Sequence, residues 1–157
     1  MSNGRKWVKV GDFMFMGEYH YTIDEKGRIT IPSKLRENLS NEFIVTRGLD
    51  KCLFIYTKEE WNNIIIKYKE LPNTRDARNF MRFLMSGANV SECDKMGRIK
   101  LMNPLIDYAG IKKECVIIGV SDHIEIWDKS QWNELLTTNF DKLESVADNL
   151  FISNIGR

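Results

Sequence analysis

The sequence predicts an α+β fold, mainly β with flanking helices, built from two tandem copies of one half-domain. Three observations carry that prediction. The phrase Asp24-Glu25-Lys26-Gly27-Arg28 returns 70 residues later as Asp94-Lys95-Met96-Gly97-Arg98. Alternating apolar runs flank the phrase, which is the period of a strand. Each copy then continues into a strand pair and a helix opened by a capping residue. The match also extends outward. Phe15-Met16-Gly17 answers Met85-Ser86-Gly87, and Ile29-Thr30-Ile31 answers Ile99-Lys100-Leu101. After one inserted residue the spacing becomes 71, with Gly48 answering Gly119, Ile55 answering Ile126, Tyr56 answering Trp127, and Trp61-Asn62 answering Trp132-Asn133. Self-similarity at a fixed period defines the building unit.

Tyr19, Tyr21 and Ile23 share one face of a strand, and Asp24 to Gly27 reads as a turn. Gly27 supplies a positive φ there, and Asp24 accepts backbone N–H bonds. Arg28 to Ile31 alternates again, so the pair reads as a hairpin. Pro32 and Ser33 open a short helix over 34–39. Phe43 to Thr46 and Cys52 to Tyr56 form a second strand pair around Gly48-Leu49-Asp50. Thr57 caps a helix running to about Tyr68, with Glu59 and Glu60 favoured in its first turn by the helix dipole. Pro72 and Asn73 break it, and 74–85 is helical again. The second copy repeats the plan: strands at 89–93 and 98–101, a helix over 104–109 ended by Gly110, strands at 115–118 and 123–127, and a helix capped by Asp128. The organisation expected is a disordered extension (1–13), a first half with its helix (14–72), a connecting helix (73–86), a second half (87–148) and a flexible tail (149–157).

With 157 residues, each half is about 70 residues long, marginal for a private core, so the copies are expected to share one or pack closely. No apolar run approaches the roughly 20 residues of a membrane span. The first residues lack the apolar stretch of a secretory signal. Three cysteines without a C-x-x-C spacing give neither a disulfide framework nor a zinc site, and reduced cytoplasmic thiols are expected. The net charge of +1 requires any nucleic-acid binder to gather its cations on one face.

The two Asp-to-Arg turns are the leading site candidates. Gly27 and Gly97 bring the backbone round tightly, and Arg28 and Arg98 start the return strands. Asp24 and Asp94 either orient those guanidinium groups or form a purely structural ion pair that supports the turn. An oriented arginine offers a planar fork matching phosphate, or guanine O6 and N7. Duplication shifts the balance toward function, since it presents two like arginines on one assembly face, although a repeated structural turn is the competing account. Lys26, Lys34 and Arg36 add charge near the first turn, and Lys95 and Lys100 near the second. For Lys34 and Arg36, solvated surface is the favoured account. Glu25 opposes phosphate at the first turn. Trp61 and Trp132 read as core packing. His20 and His123 lack a metal-ligand pattern, and no catalytic constellation accompanies the carboxylates. No metal, cofactor or enzymatic activity is expected.

These segments resemble the MraZ family, bacterial transcriptional regulators made of two AbrB-like halves. The resemblance rests on Phe15-Met16-Gly17-Glu18, the run from Ile23 to Pro32, Ser91-Glu92-Cys93 and the Asp94-to-Arg98 turn, and it spans about residues 14 to 140. It implies two tandem swapped-hairpin half-domains with pseudo-two-fold symmetry, with a β-barrel in each half. It also implies a ring-shaped homo-oligomer, an octamer among its sizes, in the cytoplasm and associated with the nucleoid. The implied partner is double-stranded DNA: tandem TGGG-type repeats upstream of the chain's own division and cell-wall operon, bound as a repressor. The family's DNA-contacting arginines fall on Arg28 and Arg98, and its neighbouring lysine on Lys26. Two departures occur in the second half. Met102 stands where a proline is expected, with Pro104 displaced, and Met96 replaces the lysine of the first turn. An antitoxin-type interaction module, using the 141–157 tail, is the alternative class.

Residues 1–13 precede the usual family start. Trp7-Val8 forces TGGGT in the gene, while Val10-Gly11 and Asn3-Gly4 permit TGGG one helical turn, about 10 to 10.5 bp, to either side. The expectation is that this stretch is operator sequence read as protein, against a basic arm (Arg5, Lys6, Lys9) or a cloning remnant. Val10 encoded by anything but GTG breaks the second repeat.

Overall fold

The two strands that flank each Asp-to-Arg turn part company and pair with strands of the other half. The computed structural model describes residues 14–155, with side chains through 152, and the expectations for 1–13 lie outside them. The strands are β1 (Glu18–Thr22), β2 (Arg28–Thr30), β3 (Phe43–Arg47), β4 (Leu53–Thr57), β5 (Asn89–Ser91), β6 (Arg98–Lys100), β7 (Glu114–Val120) and β8 (His123–Asp128). Six of them form an antiparallel sheet in the order β1-β7-β8-β4-β3-β5, and β2 pairs with β6 alone. The hairpin expected from β1 and β2 is therefore corrected. Between backbone groups, the turn is tied by the Asp24 N–H to Arg28 carbonyl bond (2.9 Å) and the Gly27 N–H to Asp24 carbonyl bond (3.0 Å). Alternation reveals which face of a strand is buried, but it does not say which strand lies beside it.

Exchanging β1 with β5, β2 with β6, β3 with β7 and β4 with β8 leaves both strand orders unchanged. The pseudo-two-fold axis therefore runs between β4 and β8 and through the Ile29–Ile99 pair. The expectation of a barrel in each half is also corrected, because each half lends its first strand to the other. Ile29, Ile31, Leu35, Val45, Leu53 and Ile55 of the first half and Ile99, Leu101, Leu105, Ile117, Ile124 and Ile126 of the second form one buried cluster. A shared core follows from size, since a half of about 70 residues buries too little surface alone.

The spacing between copies is not 71 throughout. Val45 faces Ile55 and Asn89, while Ile117 faces Ile126 and Tyr19, so these two residues occupy matched places at a spacing of 72. Gly48 follows β3, whereas Gly119 lies inside β7 opposite Ile124, so their sequence match is not a structural one. The two connections differ. Beyond β3 the chain passes through left-handed Asp50 (φ 65°) and Lys51 (φ 60°), whereas the β7–β8 hairpin closes through Ser121 (φ 64°) and Asp122. Gly119 is required for another reason: a Cβ there would stand 2.2 Å from the Met16 backbone nitrogen.

The helices are α1 (Ser33–Arg36), α2 (Lys58–Lys69), α3 (Arg75–Ser86), α4 (Asn103–Ala109), α5 (Lys129–Asn139) and α6 (Leu143–Ile155). The caps at Thr57 and Asp128 form, accepting from the Glu60 and Gln131 amides at 3.1 and 3.3 Å. The Thr74 hydroxyl caps α3 in the same way, accepting from the Ala77 amide at 3.1 Å. Trp61 lies against Tyr56 and Trp132 against Trp127, with ring centroids 5.9 and 5.6 Å apart, as packing roles require. Helix α6 carries the chain into the segment expected to be a flexible tail, as far as Ile155. Leu150, Phe151 and Ile152 on that helix are exposed. No helix among the described residues is long and apolar enough to cross a membrane.

Candidate nucleic-acid interface

The β2–β6 ribbon has two unlike faces. Arg28 lies opposite Lys100, Ile29 opposite Ile99, and Thr30 opposite Arg98. Ile29 and Ile99 are each 1% exposed and point into the core. Strand alternation then puts Arg28, Arg98 and Lys100 together on the outer face. Arg28 and Arg98 are diagonal neighbours in this register, about 7–8 Å apart. Both guanidinium groups thus belong to one small patch.

Each arginine is held by the aspartate four residues before it. Asp24 Oδ1 accepts from the Lys26 and Arg28 backbone amides, both at 2.9 Å, and Asp24 Oδ2 accepts from Arg28 Nε at 2.7 Å. Asp94 repeats the arrangement with the Met96 and Arg98 amides at 2.9 Å and Arg98 Nε at 2.9 Å. Gly27 and Gly97 close the turns at φ 80° and 78°. The Arg28 amide, and for Asp94 the Arg98 amide, leads the bonds that hold both carboxyls below their ordinary range, against some opposing desolvation. The aspartates take Nε, and the terminal nitrogens of each guanidinium have no hydrogen-bond partner among the described residues. The same ion pair that supports each turn thus also fixes the position of its guanidinium.

The turns are also stitched across the halves. The Leu101 amide donates to the Gly27 carbonyl at 2.8 Å, and the Ile31 amide to the Gly97 carbonyl at 2.9 Å. The first turn consequently borders α4 and the second borders α1. Lys26 and Lys100 line a cleft of ≈ 600 Å³ beside the first turn, shared with Asp24, Glu25 and Lys112. Lys112 was not anticipated from the sequence, and its only local signal is the basic pair that follows the α4 cap. Lys95 is exposed on the second turn, and Lys34 is exposed on α1. Arg36 is displaced from its expected place near the first turn. Its guanidinium packs against Gly97 of the second. Met102 departs from the proline pattern without consequence for the backbone: φ −73° and ψ 146° there match φ −54° and ψ 141° at Pro32, so both halves enter their helices alike.

A family model described as "MraZ protein, putative antitoxin-like" matches residues 14–83 and, again, residues 84–151. Each matched segment starts just before or at the approach to an Asp-to-Arg turn and takes in its own strand pair and helices, α3 closing the first and α6 lying at the end of the second. The tandem match falls on the two interleaved halves and covers most of the chain, so the chain belongs to the MraZ family, regulators of the AbrB-like type.

Proposed function

We propose that the chain is a sequence-specific DNA-binding transcriptional regulator, acting as a repressor, that inserts the β2–β6 ribbon into a major groove. The observation that carries this is the outward face of the ribbon, where two aspartate-held arginines and Lys100 stand together. A major groove admits a two-stranded ribbon, and an arginine fork pairs with guanine O6 and N7. Base pairs rise about 3.4 Å each, so arginines about 7–8 Å apart span two or three steps of one groove, as a guanine run presents. Tandem TGGG-type repeats upstream of its own operon are the operator this reading expects. Lys26, Lys34, Lys95 and Lys100 hold phosphates and set register, while Arg28 and Arg98 read bases.

One such patch contacts few base pairs, so successive repeats call for several chains. Linked weak sites gain affinity through effective concentration. A ring-shaped homo-oligomer meets that need. Phe140, just after α5, and Leu143, Leu150, Phe151 and Ile152 of α6, all at least half exposed, are apolar side chains that a second copy would cover. Gel shifts on intact and scrambled repeats test the DNA reading. Arg28→Ala is expected to abolish the preference for intact repeats and Lys34→Ala to weaken both duplexes alike. Unchanged selectivity in Arg28→Ala would refute it. The antitoxin-like description of the family favours a second reading, a protein-interaction module, which predicts capture of a partner protein without DNA and no selectivity between duplexes.

A further inference from the structure

The two tips are alike in backbone and unlike in charge. At the 70-residue spacing, Arg36 of α1 corresponds to Ile106 of α4. At the first turn, a Cβ on Gly27 would stand 3.4 Å from Ile106 Cδ1. At the second, a Cβ on Gly97 would stand 2.6 Å from Arg36 Cζ and 2.7 Å from its Nη1, so the guanidinium occupies space that only glycine leaves open. Arg36 Nε donates to the Ile31 carbonyl at 2.8 Å, which fixes the side chain from behind. The Ile31 amide in turn donates to Gly97, so Arg36 is braced on the segment that holds the second turn.

The sequence of the second turn makes this placement consequential. Where the first turn has Lys26, the second has Met96, which is 69% exposed. Glu25 of the first turn is replaced by Lys95. The first turn therefore sets Lys26 and Arg28 against Asp24 and Glu25, with Lys100 and Lys112 brought in beside it. The second, with Arg36 brought in from α1, sets Lys95, Arg98 and Arg36 against Asp94 alone. We propose that Arg36 is a phosphate contact at the second tip, supplying from the other half the cation that Met96 removed. This rests on the DNA reading above.

The test measures affinity against salt for wild type, Arg36→Gln and Arg36→Lys, on duplexes of intact and scrambled repeats, together with thermal melting. A lost phosphate contact lowers the slope of log affinity against log salt by about 0.9 per chain engaged. Arg36→Gln is expected to show that drop on both duplexes, with the preference between them retained. Arg36→Lys keeps the charge and is expected to restore the slope, although both variants lose the fork geometry at Ile31 and melt alike. A wild-type slope in Arg36→Gln would overturn the proposal, as would a slope lost equally in Arg36→Lys, which marks a structural role. A wild-type chain that binds neither duplex would instead defeat the DNA reading itself.

Discussion

Replacing Gly27 by alanine tests the turn geometry on which the interface depends. Gly27 sits at φ 80°, and a Cβ there would lie 3.0 Å from the Leu101 carbonyl oxygen, a backbone atom pinned by the Leu101 amide's own bond to Gly27. A left-handed conformation costs an L-residue about 1–2 kcal/mol. The narrower unfolded ensemble of alanine returns about 0.4–1 kcal/mol. Crowding against a fixed carbonyl adds roughly 1 kcal/mol, at the low end of overpacking strain. The net loss expected is about 1–2.6 kcal/mol, read as a lower urea midpoint at unchanged slope. Gly97→Ala carries the same backbone penalty at φ 78°, but the atoms it meets are the mobile end of Arg36, which can swing away at the loss of its bond to Ile31. That bond is worth roughly 0.5–1.5 kcal/mol, so the two variants are expected to be destabilised alike. Only Gly97→Ala should also lower the salt slope of DNA binding. If either variant unfolds at the wild-type midpoint, the assignment of strained, glycine-dependent turns is wrong. If Gly97→Ala is several-fold costlier than Gly27→Ala, Arg36 does not give way.

Gly119→Ala should be the most damaging glycine change, since its Cβ would stand 2.2 Å from the Met16 nitrogen and 2.4 Å from the Phe15 carbonyl carbon; loss of protection at the Phe15 and Ser121 amides in hydrogen exchange would show the bridge opening, and an intact bridge would contradict the close approach. Burial pushes the Cys115 thiol up to about 11 and raises Cys52 further, so native protein should react with a thiol reagent at half-buried Cys93 first; rapid modification of Cys115 would count against the shared core. Burial alone would lower the pKa of His123, but bonds to Glu125 (2.9 Å) and Asp122 (2.7 Å) outweigh it and raise the value above 6.5. A raised folded value means that stability is fully present below pH 6.5 and declines as pH climbs through the folded pKa. Denaturation of wild type and His123→Gln across that range should show a pH slope in the first and a flatter line in the second. Acid should act oppositely on Asp24 and Asp94, whose lowered values keep both turns intact above pH 3.8 and loosen them as pH falls through the folded pKa; proton NMR of the Arg28 and Arg98 Nε–H groups would follow this.

Local physics was legible in the sequence. The Asp-to-Arg turns, their glycines, the Thr57 and Asp128 caps and the alternating strands all follow from interactions within a few residues, and duplication made each of them visible twice. Ile55 and Ile126, matched in sequence, are matched in the core because both copies obey the same alternation. Neighbourhood across the halves was not legible. Nothing local to Arg28 says that it will lie opposite Lys100, and nothing local to Arg36 says that it will cross to Gly97 rather than stay near Lys26. The match of Gly48 with Gly119 misled for the same reason, since identity of residue does not report register.

The sequence by itself determined two Asp-held arginine turns, the elements around them and the need for a common core. Only the tertiary structure decided that β1 and β5 cross over, that one ribbon gathers both arginines with Lys100, and that α1 arms the second tip. Turns and caps are fixed by hydrogen bonds between near neighbours in the chain. Strand partners are chosen by burying apolar faces far apart in sequence, a selection made by the whole core at once.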